Sequence, residues 1–493
     1  MTPVLIVGAG PTGLTLACEL ARRGVASRVV EKAPHLFPGS RGKGLQPRTL
    51  EVFDDLGVID EVLAAGMEFP SFRLYAGKEV VWERTLADML GAGGIEHRAD
   101  APYPLPWLLP QWRTDEILHA RLRELGGEVE FGTELVGFRP DADGVTATIV
   151  RDGVATEILA AYLVGADGGR SAVRKSMAVG FEGETFESER TLVGDVRVDG
   201  LDGVFCHMLT RDGDLADRFS FWSLPHTPYY QFVATMPTEQ VPDLTLDGLR
   251  GLLVQRTGRG DLGLHDLRAI SLYRVNARMV RRFRVGRVLL AGDAAHVHSS
   301  AGGQGLNLSV QDAYNLGWKV AAVLGGGPAE LLDTYEAERV PVAAGVLGLS
   351  AVLDRRDFVA PSESGTTPAI TQLGLGYRGG PLSVEDRAAP GAVQAGDRAP
   401  DGVVGDRRLF DVFRGTHFTL LGFGIDVAAF ERSHPGVVVA RTVGAGAQLP
   451  DDGAVTASYD VSGPAMFLVR PDGYVGAVSE SPGVIEDYLR LVK

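Results

Sequence analysis

An apolar run, PVLIV at residues 3–7, leads directly into Gly8-Ala9-Gly10-Pro11-Thr12-Gly13. A G-x-G-x-x-G pattern alone is weak, because glycine-rich turns are common. Here its context is specific. The run before it reads as a buried parallel strand. The residues after it put Leu14, Leu16, Ala17, Leu20 and Ala21 on one apolar helix face that ends at Gly24. A second strand, SRVVE at 27–31, closes on Glu31, 18 residues past Gly13, with Lys32 beside it. In such a unit the first glycine permits the turn, the second lets a pyrophosphate approach the backbone, and the third lets helix and strand pack closely. Pro11 and Thr12 open the helix, whose unpaired N–H groups and positive dipole end suit phosphates. Glu31 is placed to accept the hydroxyls of an adenosine ribose. An adenine dinucleotide is expected here; the unit itself leaves open which one.

At 493 residues the chain needs two or three domains. A helix broken near Gly57 is expected between Arg48 and Gly66, followed by an irregular, aromatic stretch at 70–106 with Trp82, His97 and Tyr103. Thr114 is positioned to cap a helix, DEILHARLREL, that stops at Gly126 and Gly127. Alternating strands follow at 128–138 and 144–150, and residues from about 180 to 275 are mostly strand-like. A buried strand returns at 286–291, and a long helix covers about 304–324. Residues 360–396 are rich in Pro, Gly, Ser and Thr and read as a linker. Short strands and turns beyond it form a separate small α/β domain.

Two further motifs refine the cofactor. Residues 162–174 read YLVGADGGRSAVR, a strand ending in Asp167-Gly168 and a helix carrying Arg174. Residues 287–307 read RVLLAGDAAHVHSSAGGQGLN, a strand ending in Gly292-Asp293, a loop, and a glycine-rich helix start. In this order, the N-terminal fingerprint, the "DG" motif and the "GD" motif make the chain resemble the class A flavoprotein monooxygenases, the para-hydroxybenzoate hydroxylase group. The resemblance implies an α/β fold: a Rossmann-like FAD-binding domain from 1–69, 101–178 and 271–360, and an inserted β-sheet substrate domain from 70–100 and 179–270. A linker at 361–395 and a thioredoxin-like domain at 396–493 complete it. No C-x-x-C occurs in the chain, so dithiol redox chemistry is excluded and a packing or dimer role, as in a homodimer, is expected of that domain. Pro464 falls where thioredoxin folds place a cis-proline.

The resemblance also implies roles. Asp293 meets the ribityl chain or pyrophosphate waters of FAD. The turn Gly302-Gly303-Gln304-Gly305 presents the N–H groups of Leu306 and Asn307 to the flavin pyrimidine edge, which becomes anionic on reduction. Arg41 grips FAD phosphate or ribityl groups, Gln111 contacts the flavin, and Leu135 flanks the adenine. Asp167 belongs to the FAD site, and Arg174 faces the nicotinamide donor. NADPH or NADH delivers hydride, oxygen adds to give a flavin C4a-hydroperoxide, and an electron-rich ring carbon of a phenolic substrate takes the distal oxygen. The family's proline before Gly-Gly-Gln-Gly is replaced by Ser299-Ser300-Ala301, so Ser300 can itself touch substrate.

Phe219, Phe221, Tyr230 and Phe232 are expected to line a cavity for a planar substrate, ordinary core being the competing reading. The middle region has no basic cluster for a small carboxylate, which together with the resemblance favours a bulky, polycyclic, polyketide-type phenol. Inactivation of a phenolic antibiotic of rifamycin or tetracycline type, or degradation of simple phenols, is the alternative. A non-catalytic FAD-binding protein is a more distant one. His296 and His298, two apart in a loop without acidic partners, make weak metal ligands, so no metal is expected. With 63 acidic against 48 basic residues, nucleic acid and anionic membranes are unsuitable partners. Lone Cys18 and Cys206, no removable leader and no apolar run of about 18 residues point to the cytoplasm.

Overall fold

The computed structural model describes residues 2–90, 98–298, 303–355 and 371–493. Within them the chain is an α/β protein built on three main sheets. The first has eight strands and runs from Arg284–Val285 through Val288–Leu290, Val154–Gly165, Thr2–Val7 and Ser27–Glu31 to Val129–Phe131. Thr2–Val7 lies parallel to both neighbours, with Val4 opposite Tyr162 on one side and Ser27 on the other. Such strands are covered on both faces. Accordingly Val4, Leu5, Ile6, Leu163, Val164, Leu289 and Leu290 have no exposed surface. An antiparallel hairpin, Thr133–Pro140 with Val145–Arg151, extends the strand Val154–Gly165.

Helices Pro11–Ala21 and Gly305–Leu324 pack on this sheet and against each other. Gly317 makes their close approach possible, since a Cβ there would stand 2.3 Å from Glu19 Cγ. The helix at 111–124 begins at Gln111 with Pro110 as its cap residue. Thr114 therefore does not cap it. It lies inside the first turn and donates back to Pro110 O at 3.4 Å. The preceding proline, fixed in φ, stands at the cap position, and no side chain caps this end.

The second sheet, also eight-stranded, is antiparallel except where Phe205–Thr210 runs beside Ser71–Ala76. The aromatic stretch after residue 70 is thus less irregular than its sequence reads, and supplies two strands, Ser71–Ala76 and Glu79–Arg84, to the sheet edge. The last strand at the opposite edge, His296–Val297, belongs to the GD segment and pairs with Gly263–Val280.

The third sheet orders Val384–Glu385, Val475–Ser479, Ala465–Val469, Phe418–Phe423, Val438–Gly444 and Leu449–Pro450. Two expectations change here. Residues 371–395 are not an open linker. Val384–Glu385 is an edge strand, and Thr371, Gln372, Leu373, Tyr377 and Leu382 are buried. The Gly/Pro content hides these widely spaced apolar anchors. Among the described residues no peptide bond is cis, so the bond before Pro464 is trans. Residues 361–370 of the expected linker lie outside the described residues. No helix among the described residues is long and apolar enough to cross a membrane.

A buried ionic network fastens the third sheet to the first. Glu338, on helix Asp333–Arg355, accepts from Arg470 Nη1 at 2.6 Å, from Lys319 Nζ at 2.7 Å and from Asn315 Nδ2 at 2.8 Å. Asp472 accepts from Arg470 Nη2 at 2.6 Å and Trp318 Nε1 at 3.0 Å. Burial pushes Glu338 up, but Arg470 and Lys319 outweigh it and hold the carboxyl well below the usual range. Its stabilisation is therefore fully present above about pH 5 and is lost as pH falls below the ordinary carboxylate pKa of about 4. Removing one partner of a buried pair leaves the other charge uncompensated. Arg470→Met is expected to lower unfolding free energy by about 3–5 kcal/mol, read by denaturant titration at neutral pH, and to flatten its acid dependence.

Candidate active site

The three glycines of the first turn differ in what their missing side chains do. Gly8 adopts φ +108°, and a Cβ there would lie 2.4 Å from Ala166 O; a Cβ on Gly13 would lie 2.0 Å from Gly8 O. Both are required by the fold itself. A Cβ on Gly10 would meet nothing within 4 Å. The protein leaves that space open over the first turn of helix Pro11–Ala21, whose ladder starts with Leu14 N donating to Gly10 O. It is a cradle of the kind a pyrophosphate fills. Glu31 closes the neighbouring strand and accepts from Ala9 N at 3.0 Å and Ala33 N at 2.9 Å, so its carboxylate holds the loop around this cradle. Lys32 is exposed beside it, and Leu135 is buried on its strand opposite Ile149.

The GD turn is built into the same place. Gly292 has φ +60°, and a Cβ on it would strike Thr12 Oγ1 at 2.5 Å and Ser309 Cβ at 2.9 Å. Asp293 follows, with its side chain open to the cleft. Burial of its surroundings raises its carboxyl, while His296 and Arg41 pull it down. Arg41 is exposed with its guanidinium over the Phe37 ring, 5.1 Å from the centroid. The turn is anchored from below by Asp312, which accepts from Gly292 N at 3.0 Å, His296 Nε2 at 2.6 Å and Arg339 Nε at 2.6 Å. Burial opposes the charge on Asp312, but Arg339 and His296 bring it down to about 2.

Helix Gly305–Leu324 points its N-terminus at the loop carrying Arg41. Its ladder begins at Leu308 N, which donates to Gln304 O, so the amides of Gly305, Leu306 and Asn307 precede it. The Asn307 side chain is turned inward: Oδ1 accepts from Gln46 N at 2.7 Å, and Nδ2 donates to Gly44 O and Gly303 O at 2.8 and 2.7 Å. Gly303, at φ +64°, makes the bend that allows this. Gln111 holds the other side of the loop, accepting from Arg41 N at 3.2 Å.

The DG residues also act inward. Asp167 accepts from Ser171 Oγ at 2.5 Å and Ala172 N at 2.6 Å, which caps the short helix Ala172–Ser176. Arg174, expected to face the nicotinamide donor, is buried. Its guanidinium donates to Ala294 O at 2.9 Å and Gly169 O at 2.7 Å and lies 3.9 Å from the Phe181 centroid. It ties the DG and GD motifs together. Ser300 lies outside the described residues, as does Gly302.

The four aromatics expected to line a substrate cavity do not face the cleft. Phe219, Phe221, Tyr230 and Phe232 pack in one core cluster with Leu249, Leu252 and Leu253 of helix Leu246–Thr257. Alternation sorts residues into faces, but it does not say which face another domain covers. The opposite face meets the Arg41 loop. Gln231 Nε2 donates to Ser40 O at 2.7 Å, and Lys43 Nζ donates to Gln231 Oε1 at 2.6 Å and lies 4.2 Å from the Trp222 centroid. Asp195 stands opposite Gln231 on the adjoining strand and is buried. Burial lowers Lys43 to about 8 and raises Asp195 to about 7. Sequence reasoning missed these four; for Trp222 and Gln231 the signal was the other parity of the same strands. It also missed Gln372, which donates to Gln304 Oε1 at 2.6 Å and accepts from Gln311 Nε2 at 2.6 Å, bracing the start of the 305–324 helix.

The residues present fit FAD: an open phosphate cradle, an acidic ribose-side residue, a cationic arginine and a helix N-terminus for the flavin edge. Gly8, Gly10, Pro11, Thr12, Gly13, Glu31, Arg41 and Asp293 would hold the adenosine-diphosphate and ribityl part, and Gly305, Leu306 and Asn307 the ring. Gly10→Ala should fold with wild-type stability yet lose FAD affinity by about tenfold or more, roughly 1.4 kcal/mol. Gly13→Ala should fail to fold stably. Thermal unfolding and fluorescence titration of FAD check both, and a Gly10→Ala protein with wild-type affinity contradicts the cradle.

Residues 1–350 match the family model described as "FAD binding domain". The chain is 59% identical over 490 residues, 99% of each chain, to a flavin-dependent monooxygenase of Mycobacteroides abscessus. It is 35% identical to the 12-dehydrotetracycline 5-monooxygenase/anhydrotetracycline 6-monooxygenase of Streptomyces rimosus, over 96% of this chain and 94% of that one. Among solved structures, aklavinone-11 hydroxylase in complex with FAD and aklavinone superposes with a TM-score of 0.85 at 30% identity, covering 100% of this chain and 98% of that one. With its three motifs converging on one cleft, the chain belongs to the FAD-binding domain family and is an FAD-dependent aromatic monooxygenase.

Proposed function

We propose that this enzyme hydroxylates a bulky, polycyclic phenol of polyketide type, drawing electrons from NADPH or NADH. The observation that carries this reading is the sheet face against the Arg41 loop. Trp222, partly buried, meets Phe69 edge-on at 6.2 Å and rests on the buried Phe72 behind it at 5.2 Å, giving an aromatic surface on that face. Lys43 and Gln231 add polar groups at one side of that wall. A planar, several-ring substrate suits such a wall, with its phenol toward Lys43. The Streptomyces rimosus relative is named for tetracyclines, and the superposed hydroxylase holds aklavinone. These are multi-ring compounds, and they support the same class here.

On this reading residues 1–69, 101–178 and 271–355 carry FAD, while 70–90 and 179–270 supply the substrate wall. The unit at 371–493 braces the flavin-edge helix through Gln372 and the Arg470 network. Cys18 and Cys206 are both free and buried, which fits work in a reducing cytoplasm. A homodimer is part of the same proposal and is read by light scattering.

The test is NADPH and NADH oxidation by the flavin-loaded protein with a panel of polycyclic phenols, with mass analysis of products. One compound should accelerate oxidation and gain a single oxygen atom; oxidation that yields only peroxide with every compound overturns the substrate class. Trp222→Ala should then raise KM for that compound by about tenfold, the loss of one aromatic contact with its buried area.

A further inference from the structure

Three arginines from three elements meet on the second sheet without a carboxylate among them. Arg190, on strand Phe181–Asp199, stands directly opposite Arg274 of Gly263–Val280 on one side and Met236 of Tyr229–Pro237 on the other. Residues opposed in this way carry their side chains on the same face. Arg256, in the last turn of helix Leu246–Thr257, reaches that face as well, and its Nη2 donates to Met236 Sδ at 3.2 Å. Neighbouring strands lie about 4.8 Å apart, so Arg274, Arg190 and the methionine under Arg256 span roughly 10 Å of sheet. Met236 belongs to the core cluster of Phe219, Phe221 and Phe232, so this is the face turned away from the Arg41 loop. The three positions are far apart in sequence, and strand pairing alone brings them together.

Buried arginines elsewhere in the molecule lie against carboxylates, as Arg22 does with Asp55, Arg48 with Glu51, Arg339 with Asp312 and Arg470 with Glu338. Arg190, Arg256 and Arg274 form no ion pair among the described residues. Arg190 Nε and Arg256 Nη1 are buried and have no hydrogen-bond partner. Burial holds the Arg256 guanidinium below its usual range, and the field of the exposed Asp217 pulls the other way. Like charges placed directly opposite weaken a strand pair, and a buried N–H without an acceptor adds to the cost. Arg256 does not serve as a helix cap either. Val254 O and Gln255 O, in that last turn, accept from Arg211 Nη2.

We propose that Arg190, Arg256 and Arg274 bind a phosphate group in its dianionic form. A guanidinium offers a planar fork of N–H donors that matches two oxygens of a tetrahedral anion, and it stays charged at any working pH. Here two forks rise from adjacent strands and the third comes down from the helix, so they meet one anion from different directions. Three positive charges against two negative ones leave the occupied cluster close to balanced. The Met236 sulfur, a weak acceptor, occupies one side of Arg256 and leaves Nη1 for the ligand. The phosphate is either free or the 2′-phosphate that NADPH carries and NADH lacks. The cluster is separate from the cradle at Gly10 and from the aromatic surface at Trp222, so it does not depend on which phenol the enzyme takes.

The test is calorimetric titration of the flavin-loaded protein, whose pyrophosphate cradle is filled. Sodium phosphate, adenosine 2′,5′-bisphosphate and AMP are titrated at constant ionic strength and about pH 8, where a phosphate monoester is dianionic. Inorganic phosphate should bind wild type saturably, and both Arg190→Met and Arg274→Met should weaken it by about tenfold or more. A bisphosphate that binds at least about tenfold tighter than AMP identifies the 2′-phosphate as the occupant; phosphate binding as tightly as either nucleotide identifies the free anion. Thermal unfolding gives the second readout. In phosphate-free buffer Arg274→Met should melt no lower than wild type, because it removes a like-charge opposition, and added phosphate should raise the Tm of wild type alone. Absence of saturable binding to wild type overturns the site, as does equal affinity in wild type and both variants. A lower Tm for the exposed Arg274→Met without phosphate assigns the arginines to packing and overturns it too.

Discussion

Asp312 sits in the middle of a long helix with no exposed surface, a position that disfavours charge. It is tolerated because three donors converge on it from three segments: the GD turn through Gly292 N, the edge strand of the second sheet through His296, and helix 333–355 through Arg339. Arg339 is itself satisfied by Leu308 O and Tyr377 Oη. A buried pair of this kind contributes modest net stability, but it is intolerant of rearrangement, since any shift leaves a charge bare. It fixes the turn that aims Asp293 into the cleft. The same carboxylate also holds the His296 ring through Nε2, so the position of the cofactor loop and the orientation of that ring share one cause.

The motifs around this centre follow a common division. Their side chains mostly face inward and hold backbone in place. Asn307 grips Gly44, Gln46 and Gly303; Asp167 caps a helix; Arg174 joins two turns; Gln111 and Glu31 hold loops. The groups left facing the cleft are amides, glycine-cleared backbone, Asp293 and Arg41. Backbone donors fixed this way need little reorganisation when charge develops on a ligand, which is the advantage of a preorganised polar site.

Much of this was legible in the sequence because local chemistry dictates it. Gly8 and Gly13 have no room for a methyl group, and a strand buried on both faces must be apolar from Val4 to Val7. The cofactor site could be read for the same reason: its residues lie in contiguous motifs. What could not be read depends on distant pairings. Which face of the Phe219–Ser223 strand meets the Arg41 loop is set by distant contacts such as Gln231 Nε2 to Ser40 O, 191 residues apart in the chain. Gln372 and Tyr377 looked like linker because their partners, Gln304 and Arg339, are known only once the chain has folded back. His296 looked isolated for the same reason: Asp312, 16 residues further along the chain, supplies its acidic partner.

The network at Lys319, Glu338, Arg470 and Asp472 has a consequence for recombination. These four residues come from two different parts of the chain, and each charge is acceptable only in the company of the others. A C-terminal unit transplanted from a relative would have to bring an arginine and an aspartate that match the recipient's lysine and glutamate, with Trp318 and Asn315 to complete the set. Exchange at the seemingly permissive stretch between the two parts is therefore governed by compatibility of this quartet. Such chimeras would be filtered by charge matching in the dark interior well before surface loops came into play.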